Sequence, residues 1–274
     1  MQFLNDFISQ LKNRINSIRV DLPDLPDYIK NKLASLTDEF AVYGGYPRQF
    51  ITKDIEEKKL VLKNIFSTYL LKDIRDILGL QTDFELSKLV KTLSLQIGKI
   101  LVLDELSNFT NLKYNNLLKH LEILEKTFIL KQINPYFTNK KLELVKSKKL
   151  YFIDNGFRNA VIDNFQQIGL RTDKGNLNEN LIFSELIKKN ANIQFWRTKS
   201  NAEVDFIIER NGELIPIKVK TGLTKTKLQK SLASFIRKYH PERAFIFSRN
   251  FYDTKKFEDT IIYYLPFFFV DVIV

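Results

Sequence analysis

Two alternating stretches, Glu203-Val204-Asp205-Phe206-Ile207-Ile208-Glu209 and Leu214-Ile215-Pro216-Ile217-Lys218-Val219-Lys220, flank the pair Asn211-Gly212. Alternation sends successive side chains to opposite faces of a strand. Asn-Gly between two such runs is the strongest short-range hairpin signal, because its turn needs positive φ at both central residues. In the first strand Val204, Phe206 and Ile208 share a face, and Glu203, Asp205, Ile207 and Glu209 share the other. In the second, Ile215, Ile217 and Val219 lie together, which sends Pro216, Lys218 and Lys220 toward the carboxylate side if the strands pair across the turn. Two charged rows opposed in this way are either a solvated surface or a site.

The pattern around this hairpin is mixed α/β. A helix is predicted over residues 176–189, strands over 193–197 and 243–248, and a helix over 225–238, after an irregular connection at 156–174. The apolar run 260–274 contains Pro266 and Asp271 and is too short to cross a membrane, so it reads as terminal buried strands.

The first 79 residues read as helical. Leu4, Phe7, Ile8, Leu11 and Ile15 form one stripe, Pro23-Asp24-Leu25-Pro26 ends that helix, and a second amphipathic run covers 56–78. Tyr43-Gly44-Gly45-Tyr46-Pro47 is a tight turn. From 84 to 153 three helices (84–97, 101–108, 114–126) precede two strands (128–133, 149–153), the order of a winged helix. Leu117, Leu118, Leu121 and Leu124 form the buried stripe of the third helix, and its first turn exposes Lys113, Asn115, Asn116 and Lys119. Recognition helices meet DNA with their N-terminal residues, so these four are candidate DNA contacts. Lys140, Lys141 and Lys148 fall in the expected wing, either tracking a phosphate backbone or simply solvated.

Lys and Arg outnumber Asp and Glu by 43 to 32, a net +11 that suits a polyanionic partner. There is no cysteine, which excludes disulfides, iron–sulfur clusters and thiolate zinc. His120 and His240 are too few for a catalytic zinc site and read as surface or cap residues. None of the nine glycines begins a G-x-x-x-x-G-K-[ST] string, so no P-loop ATP site is expected. The N-terminus lacks an apolar signal core, which points to the cytoplasm.

Lys174-Gly175 and Glu179 at a helix start, Phe195-Trp196-Arg197, Glu203-Val204-Asp205-Phe206 and Pro216-Ile217-Lys218-Val219-Lys220 together resemble the PD-(D/E)XK nuclease core. Tyr43-Gly44-Gly45-Tyr46-Pro47, Tyr69-Leu70-Leu71-Lys72-Asp73-Ile74 and Lys149-Leu150-Tyr151-Phe152-Ile153-Asp154-Asn155-Gly156 are similar to the C-terminal half of prokaryotic AAA-type ATPases, in which a winged helix and a nuclease-like domain follow a P-loop domain. The resemblance implies α+β and α/β architecture: a helical region (1–79), a winged helix (80–153) and a restriction-endonuclease-like domain with a mixed central sheet (154–274). It also implies that the chain is a fragment, or one piece of a split gene, whose partner is an AAA-type ATPase or a second copy of itself.

The resemblance further implies that Glu179 and Asp205 would hold Mg²⁺ or Mn²⁺, that Lys220 would act beside them, and that Arg197 would contact DNA. The family's Glu-x-Lys pattern is broken here, because Lys218 stands at the glutamate position. Hard divalent cations want carboxylate oxygens. An ammonium in that place is attracted to Asp205 instead, and a Lys218–Asp205 ion pair is expected. The reading is a module acting on duplex or branched DNA with an impaired metal site. Its alternatives are a Mg²⁺-dependent deoxyribonuclease in which Glu203 or Glu209 replaces the lost ligand, and a protein-interaction half of an ATPase.

Overall fold

The computed structural model describes residues 2–80, 84–139, 141, 143, 146–189 and 191–273. It is a mixed α and β chain with a helical N-terminal region and a C-terminal mixed sheet. Two compact units interleave along the sequence: Asp38–Ile133 with Val145–Ser184, and Met1–Thr37 with Asn134–Leu144 and Glu185–Val274. Among the described residues no helix is long and apolar enough to cross a membrane.

The first unit is mainly helical. Helices Phe84–Ser94, Leu103–Thr110 and Tyr114–Lys126 are followed by a two-stranded antiparallel sheet of β1 (Leu130–Ile133) and β2 (Lys149–Phe152). Leu86, Leu89, Leu93, Leu106, Leu117, Leu121 and Leu124 are buried against Leu130, Leu150, Phe152 and Phe157 in one core. Each such side chain contributes roughly 1.5–3 kcal/mol of transfer free energy on burial.

Leu118 departs from the expected stripe. It is 41% exposed, and the buried face instead takes His120 beside Leu117, Leu121 and Leu124. One residue is about 100° around a helix, so Leu117 and Leu118 cannot both sit at the centre of the same narrow stripe. His120 is therefore a core residue, its Nδ1 2.6 Å from the Asn116 carbonyl oxygen, whereas His240 does cap its helix in the left-handed region. The run expected to be one amphipathic helix over 56–78 is in fact Ile55–Ile65, a wider π-helix Phe66–Ile74, and Arg75–Leu78. Side-chain period alone does not register that change of winding.

The Gly44-Gly45 turn packs against the start of helix Asn155–Val161 in this unit. Asp154 caps that helix, with Oδ1 accepting from Phe157 N–H at 2.8 Å and Oδ2 accepting from Gly45 N–H at 2.7 Å. Gly44 has φ +73°, and any Cβ on Gly156 would overlap the Tyr43 carbonyl. Gly156 is required by close backbone approach, and Gly44 by its positive φ and the Asp154 carboxylate packed against it.

The second unit is built on a six-stranded sheet in the order β3 (Ile193–Arg197), β4 (Glu203–Arg210), β5 (Glu213–Val219), β6 (Arg243–Ser248), β8 (Thr260–Pro266), β7 (Asp253–Phe257). β3, β4 and β5 are antiparallel, β5, β6 and β8 are parallel, and β7 closes one edge antiparallel to β8. Asn211 (φ 51°) and Gly212 (φ 81°) make the expected hairpin turn. Pro216 is tolerated in β5 because pairing with β6 begins only at Ile217.

Helix Lys230–Tyr239 carries β5 back to β6 and buries Leu232, Phe235 and Ile236 against Trp196, Val204, Ile246 and Ile262. Helix Gln2–Asn16 adds Phe7, Leu11 and Ile15, with the Phe7 ring stacked 5.3 Å from Phe269.

Three sequence expectations change in this unit. Only Thr260–Pro266 of the apolar tail is a strand, and Phe267–Ile273 winds into 3-10 turns. The edge strand β7, Asp-Thr-Lys-Lys-Phe, has no apolar alternation to betray it. Part of the segment expected as a wing runs along β3, where Tyr136 N–H donates to Phe195 O at 2.6 Å and Phe195 N–H donates to Asn134 O at 3.1 Å. Asn134 to Tyr136 thus satisfies backbone groups on the sheet edge.

Candidate functional site

The hairpin register carries the site. Phe206 pairs with Ile217 and Ile207 with Pro216, so continuing the same register opposes Asp205 to Lys218. Both are buried, and Lys218 Nζ lies 2.5 Å from Asp205 Oδ1. The same ammonium donates to Glu203 O at 3.1 Å, while Asp205 Oδ2 accepts from Val219 N–H at 2.7 Å. Each Asp205 oxygen is therefore occupied by a donor on β5. The expected ion pair is present.

The neighbouring charges are placed as follows. Lys220 stands just past the end of β5, half-buried, with its backbone N–H donating to Phe247 O at 2.8 Å. Glu203 is partly buried, with Oε2 3.5 Å from Arg197 Nη1. Arg197 is exposed at the end of β3, and its Nη2 donates to Asn201 Oδ1 at 2.8 Å. Glu209 is exposed near the hairpin tip, opposite Leu214.

Whether these residues suit a divalent cation is decided by their donors. Such an ion wants several free carboxylate oxygens. Asp205 gives both of its oxygens to Lys218 and Val219, and Glu203 is engaged by Arg197. Among the described residues no group of three or more His, Asp or Glu is arranged to hold a metal ion. The residues present do not fit Mg²⁺ or Mn²⁺.

Glu179 belongs to the helical unit. Its Oε1 accepts from the Tyr151 hydroxyl and lies 3.3 Å from Lys149 Nζ, with both partners buried. Gly98 leaves room for it, since a Cβ there would come within 3.3 Å of that oxygen. Lys149 and Tyr151 are the site neighbours that sequence reasoning missed. Their signal was present in the alternation Lys149, Tyr151, Ile153, which puts a cation and a phenol on one face of β2.

The four side chains read as exposed on the first turns of the third helix are exposed. Lys113 occupies the N-cap position, and Lys113, Asn115, Asn116 and Lys119 are all exposed. Two aromatic side chains not foreseen stand nearby in sequence, with Tyr114 48% and Phe109 62% exposed. Of the wing lysines, Lys141 is exposed, Lys148 is half-buried with Leu101 N–H donating to its carbonyl at 2.8 Å, and Lys140 lies outside the described residues.

The same unit holds a second concentration of buried charge. Asp173 accepts from Arg158 Nη1 at 2.6 Å and from Arg171 Nε at 2.8 Å, and Arg158 Nε also donates to Ser94 O at 2.7 Å. Burial would raise the Asp173 pKa, but hydrogen bonds from Arg171 and Arg158 outweigh it and hold the carboxyl at about 2. Burial lowers the Arg158 pKa, and the Asp173 hydrogen bond opposes that shift.

Comparison with known proteins places both units beside uncharacterized relatives. Residues 35–168 match a domain of unknown function, DUF8612, and residues 174–268 match another, DUF4143. An uncharacterized protein of Haemophilus influenzae is 25% identical over 189 residues, 67% of this chain and 46% of that protein. One of Methanocaldococcus jannaschii is 25% identical over 198 residues, covering 69% and 43%. One of Mycobacterium tuberculosis is 22% identical over 212 residues, covering 75% and 48%. The chain thus spans less than half the length of these relatives, and carries in order two segments similar to domains of unknown function.

Proposed function

We propose that the chain is a DNA-interacting module in which a winged-helix-like unit presents the helix Tyr114–Lys126 to duplex or branched DNA, and which also carries a nuclease-like fold whose metal site has been lost. The observation that carries the second half is Lys218. Its buried ammonium sits on the one carboxylate of β4 that the resemblance assigns to metal, where it supplies a fixed positive charge without exchangeable coordination. The antiparallel hairpin running into a parallel β5–β6 pair is compatible with that nuclease-like reading. The first half is supported by Lys113, Asn115, Asn116 and Lys119, exposed together on the opening turns of one helix, and by the net +11. An AAA-type ATPase is the proposed partner, on the resemblance of the 43–47 and 149–156 motifs, and the cytoplasm is the proposed compartment.

Gel retardation of a labelled duplex across a salt series tests this reading. Lys113→Ala with Lys119→Ala should lower the log–log salt slope by about two, since each lost phosphate contact removes roughly 0.9. Folding should be unaffected, because both side chains are exposed. A duplex that is not retarded at low salt, or a double variant that binds as the parent does, overturns the placement.

A further inference from the structure

We infer that a cleft in the sheet unit, between helix Lys230–Tyr239 and the edge strand β7, binds single-stranded nucleic acid; the inference rests on the DNA-interacting reading above. The cleft has a volume of about 530 Å³ and is lined by Leu228, Lys230, Ala233, Arg237, Lys255 and Phe257. Three of these are cations, three are apolar, and none is acidic. Lys230 and Lys255 are exposed, and neither has an ion-pair partner among the described residues. Arg237 is partly committed, with its guanidinium 5.2 Å from the Phe257 ring centroid and Nε 3.0 Å from Glu258 Oε1. Lys225 and Lys227 are exposed on the loop entering the cleft at Leu228.

The chemistry of the lining selects its occupant. Phosphates are attracted to cations spaced along a groove, and bases stack on apolar and aromatic faces. A duplex keeps its base faces buried in its own stack, so an apolar floor gains nothing from it. An unpaired strand offers phosphates to Lys230 and Lys255 and base faces to Leu228 and Phe257. The lining side chains offer cationic donors but no acceptor, amide or imidazole, so adenine and cytosine edges go unread and only a mild preference for guanine is expected. A peptide would be expected to add to the β7 edge as a strand, and lysines on an edge strand are a device against such pairing.

Fluorescence anisotropy of a labelled oligothymidylate with the full chain tests the assignment. Lys230→Glu with Lys255→Glu should weaken binding at least tenfold and lower the salt slope by about 1.4, since single strands lose roughly 0.7 per contact. The same charge change placed elsewhere, Lys32→Glu with Lys53→Glu, should leave affinity within threefold. If the reversal perturbs the melting temperature, Lys230→Gln with Lys255→Gln gives the same reading in the same direction. The assignment is overturned if the parent does not bind the oligonucleotide, if the cleft and control variants lose affinity equally, or if oligoglutamate binds as tightly. Failure of the duplex placement is distinguishable, because it appears in the Lys113/Lys119 variant and leaves the oligothymidylate titration unchanged.

Discussion

The two units both bury charge, but they do so with different connectivity. In the helical unit Asp173 is shared by Arg158 and Arg171, and both guanidiniums are tied to backbone carbonyls, of Ser94 and Asn164 respectively. In the sheet unit Lys218 meets Asp205 and a single carbonyl on the adjoining strand. The first arrangement fastens distant stretches of chain, since residues 94, 158, 164 and 173 converge on it. The second joins two strands already paired by their backbones. A buried charge that ties together separate stretches of chain is architectural. One placed across an existing hairpin leaves the fold little to lose, and its retention calls for another explanation. Under the function proposed above, that explanation is a binding position filled by a side chain.

The largest effect that would break this comparison comes from Arg158. Arg158→Met should cost about 3–5 kcal/mol in a denaturant titration, because it leaves Asp173 short of a cation and the Ser94 carbonyl without its donor. Replacing both partners of the other pair, Asp205→Leu with Lys218→Met, should cost about 2 kcal/mol, from the two backbone groups it orphans. Exchange of a whole buried pair for apolar groups is often close to neutral, and only Val219 N–H and the Glu203 carbonyl lose a partner. Equal losses in the two variants would erase the distinction between fastening and filling.

A smaller effect sharpens the comparison. Lys218→Glu places a second carboxylate beside Asp205 and removes the resident cation, so the variant should be destabilised without metal and rescued by Mn²⁺. A ligand at one hundred times its Kd contributes about 2.7 kcal/mol by mass action. Calorimetry should show a Mn²⁺ isotherm in this variant that disappears when Asp205→Ala is added. A Mn²⁺ isotherm in the parent that depends on Asp205 would show that Lys218 yields its place and that the site is not filled at all.

These contrasts were unequally legible in the sequence. The Asn211-Gly212 turn fixes the register, and the register alone implies Asp205 against Lys218, so the sheet site could be read from local alternation. The faces of the third helix were legible to the same extent, with the error at Leu118 arising where two adjacent leucines compete for one stripe. Nothing local announces the Arg158–Asp173–Arg171 cluster. Its members are ordinary surface residue types within one short stretch, buried by packing against the distant end of helix Phe84–Ser94, and no periodicity encodes that burial. The π-helix Phe66–Ile74 and the edge strand β7 escaped for a related reason: one keeps a helical pattern while changing its winding, and the other carries lysines where a strand pattern would show apolar residues.

The smallest expected effect is a pH dependence that should belong to the helical unit. Asp173 has its pKa depressed from 3.8 to about 2 by Arg171 and Arg158 acting against burial. A carboxyl depressed on folding binds its proton more weakly in the folded state. Its contribution is therefore fully present above the unfolded value near 4 and is lost as pH falls toward 2. The shift corresponds to on the order of 1–2 kcal/mol once partial solvent screening of this carboxylate is allowed for. Native-state hydrogen exchange should locate the loss. Between pH 4 and pH 2, after correction for intrinsic exchange rates, protection of amides in helices Phe84–Ser94 and Asn155–Val161 should fall, because Arg158 ties Ser94 to Asp173. In Asp173→Asn the protection of those amides should begin lower and change less over the same interval. An equal fall in both proteins would place the acid-sensitive group elsewhere and remove the cluster's claim to fasten this unit.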